Sequence, residues 1–298
     1  MVATLFTKQV SDHEFEKYKG THFNEKWYQT IITDSARGYY PDPLGNKKVL
    51  FIFKRGVIPK ELQQLAIEVW LKESKKKHSN RGLAGGLAGK TTARIITRTG
   101  QNEGNYTASN ISGYFDRPLR NHLGTFGTSI VCRTTSFTTK NKELWNKGLP
   151  FVQHCSDVYK RLADNEYHIQ KQEYNKINKL FKIPKTVFTT ITSNYNWRTA
   201  CHCDSGDFAG GLGNLIVVGK NFTGGYLGFP QFKVLIKIKP GDFLLMDSHQ
   251  WHCNTELKTD ETSDSFRLSF VMYIRSDMSK CNITKIIDGV QYGTDKIN

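Results

Sequence analysis

Phe266-Arg267-Leu268-Ser269-Phe270-Val271-Met272-Tyr273 is the stretch on which the fold turns. Alternation along an extended chain puts Leu268, Phe270 and Met272 on one face and Arg267, Ser269 and Tyr273 on the other. The first face suits packing against helices; the second suits the lined mouth of a barrel. An inward-pointing arginine is expensive to bury unless it is paired. Arg267 therefore implies a bound carboxylate, which a guanidinium holds with two parallel hydrogen bonds.

Upstream, four more runs read as short strands: Val187 to Thr192, Leu215 to Val218, Phe232 to Ile238 and Phe243 to Asp247. The turn Lys239-Pro240-Gly241-Asp242 splits the last two. Before them lie helical patterns. Val57-Ile58-Pro59-Lys60-Glu61 opens one helix with proline in its first turn, and Leu62, Leu65, Ala66, Val69 and Trp70 give it an apolar face. A second helical stretch covers Leu149 to Asn178, with a break near Ala163-Asp164-Asn165. The expected fold is α+β: a double-stranded β-helix (jelly-roll) core with the N-terminal helices packed on its outside. We expect a single domain over residues 1–298, without internal repeats. Within it, 1–185 would form a largely helical, basic support region, 186–275 the β core, and 276–298 a C-terminal extension.

Between the strands lies a metal-binding pattern. His202-x-Asp204 is followed fifty residues later by His252, and Arg267 stands fifteen residues beyond that. Residues at i and i+2 of extended chain project to one side, so His202 and Asp204 can reach one ion. Two imidazoles and one carboxylate leave positions open on an octahedral metal, which suits non-haem Fe(II) oxygenases. With Arg267 to hold an acidic co-substrate, the combination points to Fe(II), 2-oxoglutarate and O2. His249 competes with His252 for the third ligand place. Zinc is the chemical rival, since Cys201, Cys203 and Cys253 offer soft ligands beside both histidines. Cysteines adjacent to His202 in a strand point to the opposite face, however, and cannot all share its ion.

The whole chain narrows the function further. Its 298 residues are 38% hydrophobic and 23% charged, an ordinary soluble composition with ample material for a core. No run approaches eighteen apolar residues and the N-terminus has no signal-peptide pattern, so no membrane association is expected. Six cysteines are too few for a disulfide scaffold, and thiols beside an iron centre fit a reducing, intracellular location, cytoplasm or nucleus. The net charge of +15 favours a polyanion, with nucleic acid foremost. Much of that charge clusters in Lys75-Lys76-Lys77-His78, Arg81, Lys90, Arg94, Arg98, Arg117 and Arg120, around the glycine-rich loop Gly82 to Gly89. Ala84 to Thr91 matches a relaxed P-loop pattern, but its upstream flank is polar rather than a buried strand, and it reads as a basic loop.

Four segments resemble the TET/JBP family of DNA dioxygenases. They are Arg198 to Asp207, Gly224 to Pro230, Gly241 to Thr255 and Arg267 to Val271. The first is similar to the family's iron dyad, the third to its distal histidine segment and the last to its 2-oxoglutarate strand. The resemblance implies iron ligation by His202, Asp204 and His252, with His249 left to a hydrogen-bond partner or the pocket rim. It implies 2-oxoglutarate binding by Arg267, assisted by Ser269, and a substrate contact from Asp207. The implied reaction is hydroxylation of the 5-methyl group of thymine or 5-methylcytosine in double-stranded DNA after base flipping. Tyr195, Trp197 or Trp251 would stack on the flipped base. Asp207 stands where TET enzymes carry asparagine; an ionised carboxylate only accepts hydrogen bonds, so the identity of the base stays open. The chain reads as a minimal catalytic unit. Two alternatives share this pattern: a 2-oxoglutarate-dependent hydroxylase of protein or a small molecule, and a catalytically silent DNA-binding module.

Overall fold

The computed structural model describes residues 1–78, 82–86, 107–116, 130–260, 264–287 and 289–294. In chain order the strands are β1 (Val2–Leu5), β2 (Thr30–Ile32), β3 (Ala36–Pro41), β4 (Lys47–Lys54), β5 (Lys77–His78), β6 (Thr107–Phe115), β7 (Ile130–Thr134), β8 (Thr190–Tyr195) and β9 (Gly213–Lys220). They continue as β10 (Phe222–Gly224), β11 (Leu227–Phe229), β12 (Val234–Ile236), β13 (Phe243–Met246), β14 (Cys253–Asn254), β15 (Leu257–Thr259), β16 (Phe266–Tyr273), β17 (Asn282–Ile287) and β18 (Val290–Thr294). The α-helices are α1 (Asp12–Phe15), α2 (Lys60–Ser74), α3 (Ser136–Lys140), α4 (Lys142–Leu162) and α5 (Asp164–Lys176).

A principal sheet runs in the order β1-β3-β4-β13-β9-β16-β8-β6-β7-β18-β17, with β5 beside β6, and a smaller sheet runs β14-β11-β12-β2. The central strands explain the layering. Leu215-Ile216-Val217-Val218 of β9 and Phe243-Leu244-Leu245-Met246 of β13 are apolar without alternation, as strands buried on both faces must be. Ile216, Val218, Phe243 and Leu245 pack with Trp70, Phe151 and Tyr159 of α2 and α4. Leu215, Val217, Leu244 and Met246 instead meet Leu227, Phe229, Val234 and Ile236 of the smaller sheet. The molecule is thus three layers: helices, principal sheet, smaller sheet. β16 lies between β8 and β9, with Leu268, Phe270 and Met272 turned to the helices as its alternation requires.

Several expectations need correction. Residues 1–185 are not largely helical, because β1, β3, β4, β6 and β7 all join the principal sheet. β4 pairs antiparallel with β13, Phe53 opposite Leu244. Its run Leu50-Phe51-Ile52-Phe53 is buried on both faces, so it carries no period of two to betray a strand. β6, Thr107-Ala108-Ser109-Asn110-Ile111-Ser112-Gly113-Tyr114-Phe115, is too polar to read as one. The β core is therefore not confined to 186–275, and the segment after 275 returns as the hairpin β17–β18 against β7. α4 begins at Lys142 rather than Leu149, while the expected break falls at Ala163, whose backbone leaves the helix at φ −146° and ψ 67°. The strand expected at Val187 begins at Thr190, and that expected over Phe232 to Ile238 shortens to β12.

One pair of cysteines is joined. Cys132 of β7 bonds to Cys281, at the start of the hairpin, with Cα atoms 5.9 Å apart. This bridge has no signature in the sequence, whose six cysteines are too few for a disulfide scaffold. Cys155, Cys201, Cys203 and Cys253 are free thiols. No helix among the described residues is long and apolar enough to cross a membrane. Arg81, Lys90, Arg94, Arg98, Arg117 and Arg120 lie outside the described residues, as does most of the P-loop-like segment. Gly82–Gly85 forms a 3-10 turn whose Ala84 carbonyl accepts from Ala200 N–H at 3.0 Å.

Helices α2 and α4 approach closely at Gly148 of α4, where a Cβ would overlap the indole of Trp70 on α2. Trp70 is held from its other end by donating to Ser112 Oγ at 2.9 Å, so the ring cannot retreat freely. Gly148→Ala is expected to destabilise the fold by about 1–3 kcal/mol through overpacking. Urea unfolding would show this as a lower midpoint at constant slope; an unchanged midpoint would refute the close packing.

Candidate active site

After Tyr195 the chain leaves the principal sheet and runs antiparallel to the segment around β14. His202 N–H donates to His252 O at 3.1 Å, His252 N–H returns to His202 O at 3.0 Å, and Asn254 N–H donates to Thr199 O at 3.0 Å. Residues directly opposite in an antiparallel ladder share a face. Both imidazoles accordingly stand side by side, ring centroids 4.3 Å apart. Asp204, anchored by its N–H to Ser248 O at 2.9 Å, completes the group. Its Oδ1 lies 3.7 Å from His202 Nε2 and its Oδ2 lies 3.6 Å from His252 Nε2. One ligand atom from each of the three falls within 4.8 Å of the others, close enough to share an ion.

The outward nitrogens determine what the inward ones offer. His202 Nδ1 faces Ala200 O at 2.7 Å and His252 Nδ1 faces Gln250 O at 2.9 Å. A carbonyl can only accept, so each Nδ1 carries the proton and each Nε2 presents a lone pair. Burial and the neighbouring His202 push His252 down to about 4, which keeps it neutral at physiological pH. A neutral imidazole is the form that binds a metal.

His249 is placed elsewhere. Its Nδ1 lies 3.5 Å from Asp247 Oδ1, and Asp247 also accepts from Tyr40 at 2.7 Å and Gln250 at 3.1 Å. Cys201 and Cys253 fall on the face opposite the histidines, in a buried cluster with Phe15, Phe23 and Tyr28. Cys203, expected on that opposite face as well, instead lines the cavity with His202 and Asp204, but the metal-ligand group found among the described residues, His202, Asp204 and His252, contains no cysteine.

The group opens onto a cavity of about 300 Å³. Ser269, Val271 and Tyr273 of β16 form one wall, the polar face expected from the alternation of that strand. Arg267 stands at the end of the same row and is only 1% exposed. Its Nε and Nη2 are buried without a hydrogen-bond partner, and burial pushes the guanidinium down to about 10. Gly225 packs against it: at φ 62°, a Cβ there would lie 2.9 Å from Arg267 Cδ and Nε. The pair Gly224-Gly225 thus allows the chain to pass directly over the arginine stem. A buried cation with two open donors fits a carboxylate ligand, which would satisfy both the charge and the hydrogen bonds.

The remaining wall holds groups that sequence reasoning missed. Asp207 lines the cavity at 6% exposure, but it is not a lone acceptor. Arg275 Nη1 donates to Asp207 Oδ1 at 3.3 Å, and Arg275 Nε donates to Asp116 Oδ1 at 3.1 Å. Burial and the charge of Asp204 push the Asp207 carboxyl well up, with Arg275 pulling the other way. Arg275 continues the period of two from Tyr273, a signal that could have found it; nothing in the chain links Asp116 to the site. Of the aromatics expected near a substrate, Trp197 lines the cavity. Trp251 packs against Phe15 at 5.9 Å, and Tyr195 lies against the helix-facing core with Lys75 over its ring.

The family described as the oxygenase domain of the 2OGFeDO superfamily, Tet_JBP, matches residues 110–276. Thymine dioxygenase JBP1 of Crithidia fasciculata is 32% identical over 215 residues, covering 72% of this chain and 25% of that protein. The bifunctional helicase and thymine dioxygenase JBP2 of Leishmania braziliensis is 31% identical over 247 residues, covering 83% of this chain and 20% of its own length. The chain thus spans a quarter or less of these two curated relatives. Among solved structures, NgTET1 in complex with 5mC DNA shares the fold at a TM-score of 0.54 and 14% identity, covering 93% of this chain and 84% of that one.

The position of His252 sets a pH dependence. Unfolded, its imidazole takes a proton near 6.5; folded, it does so only near 4. Between these values the unfolded chain binds more protons, so stability falls as pH falls. Metal-free protein is expected to lose about 2 kcal/mol between pH 7 and pH 5 through this group. Urea melts at both pH values would measure the loss, and His252→Gln should flatten it. An equal slope in the variant would assign the acid sensitivity to other groups.

Proposed function

This chain belongs to the Tet_JBP family of oxygenase domains within the 2OGFeDO superfamily, and from that premise we propose that it is an Fe(II)- and 2-oxoglutarate-dependent dioxygenase acting on DNA. Its reaction would hydroxylate the 5-methyl group of a pyrimidine, thymine or 5-methylcytosine. The observation that carries this reading is the pairing of the His202–Asp204–His252 group with a buried arginine whose Nε and Nη2 have no protein partner. We read the sheets around the cavity as a double-stranded β-helix, supported by the burial of β9 and β13 between the helices and the smaller sheet.

His202, Asp204 and His252 would hold the iron at the cavity. Arg267 would take the far carboxylate of 2-oxoglutarate, with Ser269 beside it on the same face of β16. When bound, the two supply the oxidising chemistry by which O2 converts a methyl group to hydroxymethyl, with 2-oxoglutarate leaving as succinate and CO2. The protein's own part is positioning. The Nδ1–carbonyl bonds hold each imidazole in its tautomer and plane. Burial of Arg267 would make its pairing with a carboxylate stronger than it would be in water.

Support for a DNA substrate comes from the charge of +15 and from the thymine dioxygenase relatives. A base inside a duplex cannot enter a cavity of about 300 Å³, so the target nucleotide would leave the stack. Asp207, held by Arg275, and Trp197 would then face it. As an acceptor held by Arg275, Asp207 would receive the N3 hydrogen of thymine or the amino group of cytosine, so the pairing edge of either pyrimidine is compatible with it.

Nucleoside mass spectrometry tests the reading. Protein loaded with Fe(II) under anaerobic conditions is incubated with 2-oxoglutarate, ascorbate, oxygen and duplex DNA containing thymine and 5-methylcytosine. A new 5-hydroxymethyl nucleoside is the expected result. Succinate without an altered nucleoside would move the substrate to RNA, protein or a small molecule, and absence of succinate would favour a silent binding module. Arg267→Ala should weaken the apparent affinity for 2-oxoglutarate by about 30-fold or more, the loss that follows removal of one partner from a buried ion pair. An unchanged dependence of succinate release on 2-oxoglutarate would remove Arg267 from the co-substrate site.

A further inference from the structure

We propose that Asn196 is the residue that positions Arg267 for its ligand, by substituting its side-chain amide for a missing main-chain hydrogen bond. The inference rests on the reading of Arg267 as the co-substrate clamp. In the register of β8 with β16, Tyr195 lies opposite Leu268, so the next pair along the ladder is Asn196 with Arg267. Asn196 N–H donates to Arg267 O at 2.9 Å, as an antiparallel hydrogen-bonded pair requires. In a regular ladder Arg267 N–H would donate back to the Asn196 carbonyl. It donates instead to Asn196 Oδ1, at 2.7 Å.

The backbone of Asn196 explains the exchange. Its φ is 43°, in the left-handed region that L-residues other than glycine rarely adopt. Asparagine enters that region more readily than most, because its short amide can bond to nearby backbone. At this turn the chain leaves the sheet through Trp197 and Thr199 to His202, and Arg267 N–H meets the Asn196 side chain rather than its carbonyl. The amide oxygen fills the place that the carbonyl has left. Both polar backbone groups of Arg267 thus stay occupied at the point where its neighbouring strand departs. On the other side Arg267 faces Gly219 of β9, and its stem lies against Gly225. One residue therefore sets the exit of the metal-binding segment and the seat of the arginine.

This role predicts a defect in ligand affinity that is separable from folding. Calorimetric titration of 2-oxoglutarate into Mn(II)-loaded protein without oxygen reads binding alone, independent of turnover. Asn196→Gly keeps the left-handed backbone and removes the acceptor; its affinity for 2-oxoglutarate should fall about ten-fold, while Mn(II) affinity is unchanged. Asn196→Asp keeps an acceptor at the same place and should bind within about two-fold of the parent. Wild-type affinity in Asn196→Gly, with Arg267→Ala defective, would overturn the role of Asn196 and leave that of Arg267 standing. So would equal weakening in the glycine and aspartate variants, since the acceptor would then not be what matters. Absence of binding by the parent protein, or full binding by Arg267→Ala, would overturn the co-substrate reading and this inference with it. Should Asn196→Gly fail to fold, Asn196→Asp decides alone: parental affinity supports the role, and a ten-fold loss overturns it.

Discussion

Two main-chain hydrogen bonds between His202 and His252 are the constraint on which the site depends. They join segments fifty residues apart in the chain and bring both imidazoles onto one face. The same pairing sends Cys201 and Cys253 to the other face, into an aromatic cluster. A ladder pair thus separates the two histidines from these two thiols without any choice by the side chains themselves, whereas Cys203 lines the cavity beside Asp204. The carbonyls of Ala200 and Gln250 then orient the rings, so backbone fixes position, tautomer and plane together.

Around this pair the protein holds an unbalanced charge. Arg267 is as buried as the phenylalanines of the core, yet two of its donors have no partner. Such a group weakens a fold unless something regularly satisfies it. Its surroundings are built to keep it in place: β8 and β9 on either side, a glycine under its stem, and an asparagine amide on its backbone. An unpaired buried cation of this kind lowers the stability of the free protein. Asp207 contrasts with it, since that buried charge is paired with Arg275, which in turn holds Asp116.

The helices do the mechanical work. α2 and α4 press on the face of the principal sheet opposite the cavity, through Trp70, Phe151 and Phe270. β16 therefore cannot rotate to present its polar row elsewhere: its other face is locked into the core by Phe266, Leu268, Phe270 and Met272. Packing on one side of the strand holds the geometry on the other.

By itself the sequence determined what local periodicity and residue chemistry can encode. The alternation in β16 placed Ser269 and Tyr273 on the cavity wall, and the spacing of His202, Asp204 and His252 singled out three residues whose ligand atoms the fold brings within 4.8 Å of one another. The preference for His252 over His249 needed family likeness, because both are within reach of a turn after β13. Other features have no local signature. β4 is apolar on both faces and β6 is polar, so neither shows the period of a strand; each becomes one only by pairing with distant neighbours. Arg275 was legible as the next step of the alternation, whereas Asp116 and Asn196 acquire meaning only from what lies across from them. Tertiary structure alone decided those contacts, because a hydrogen bond between residues seventy or more apart depends on which segments the fold makes adjacent.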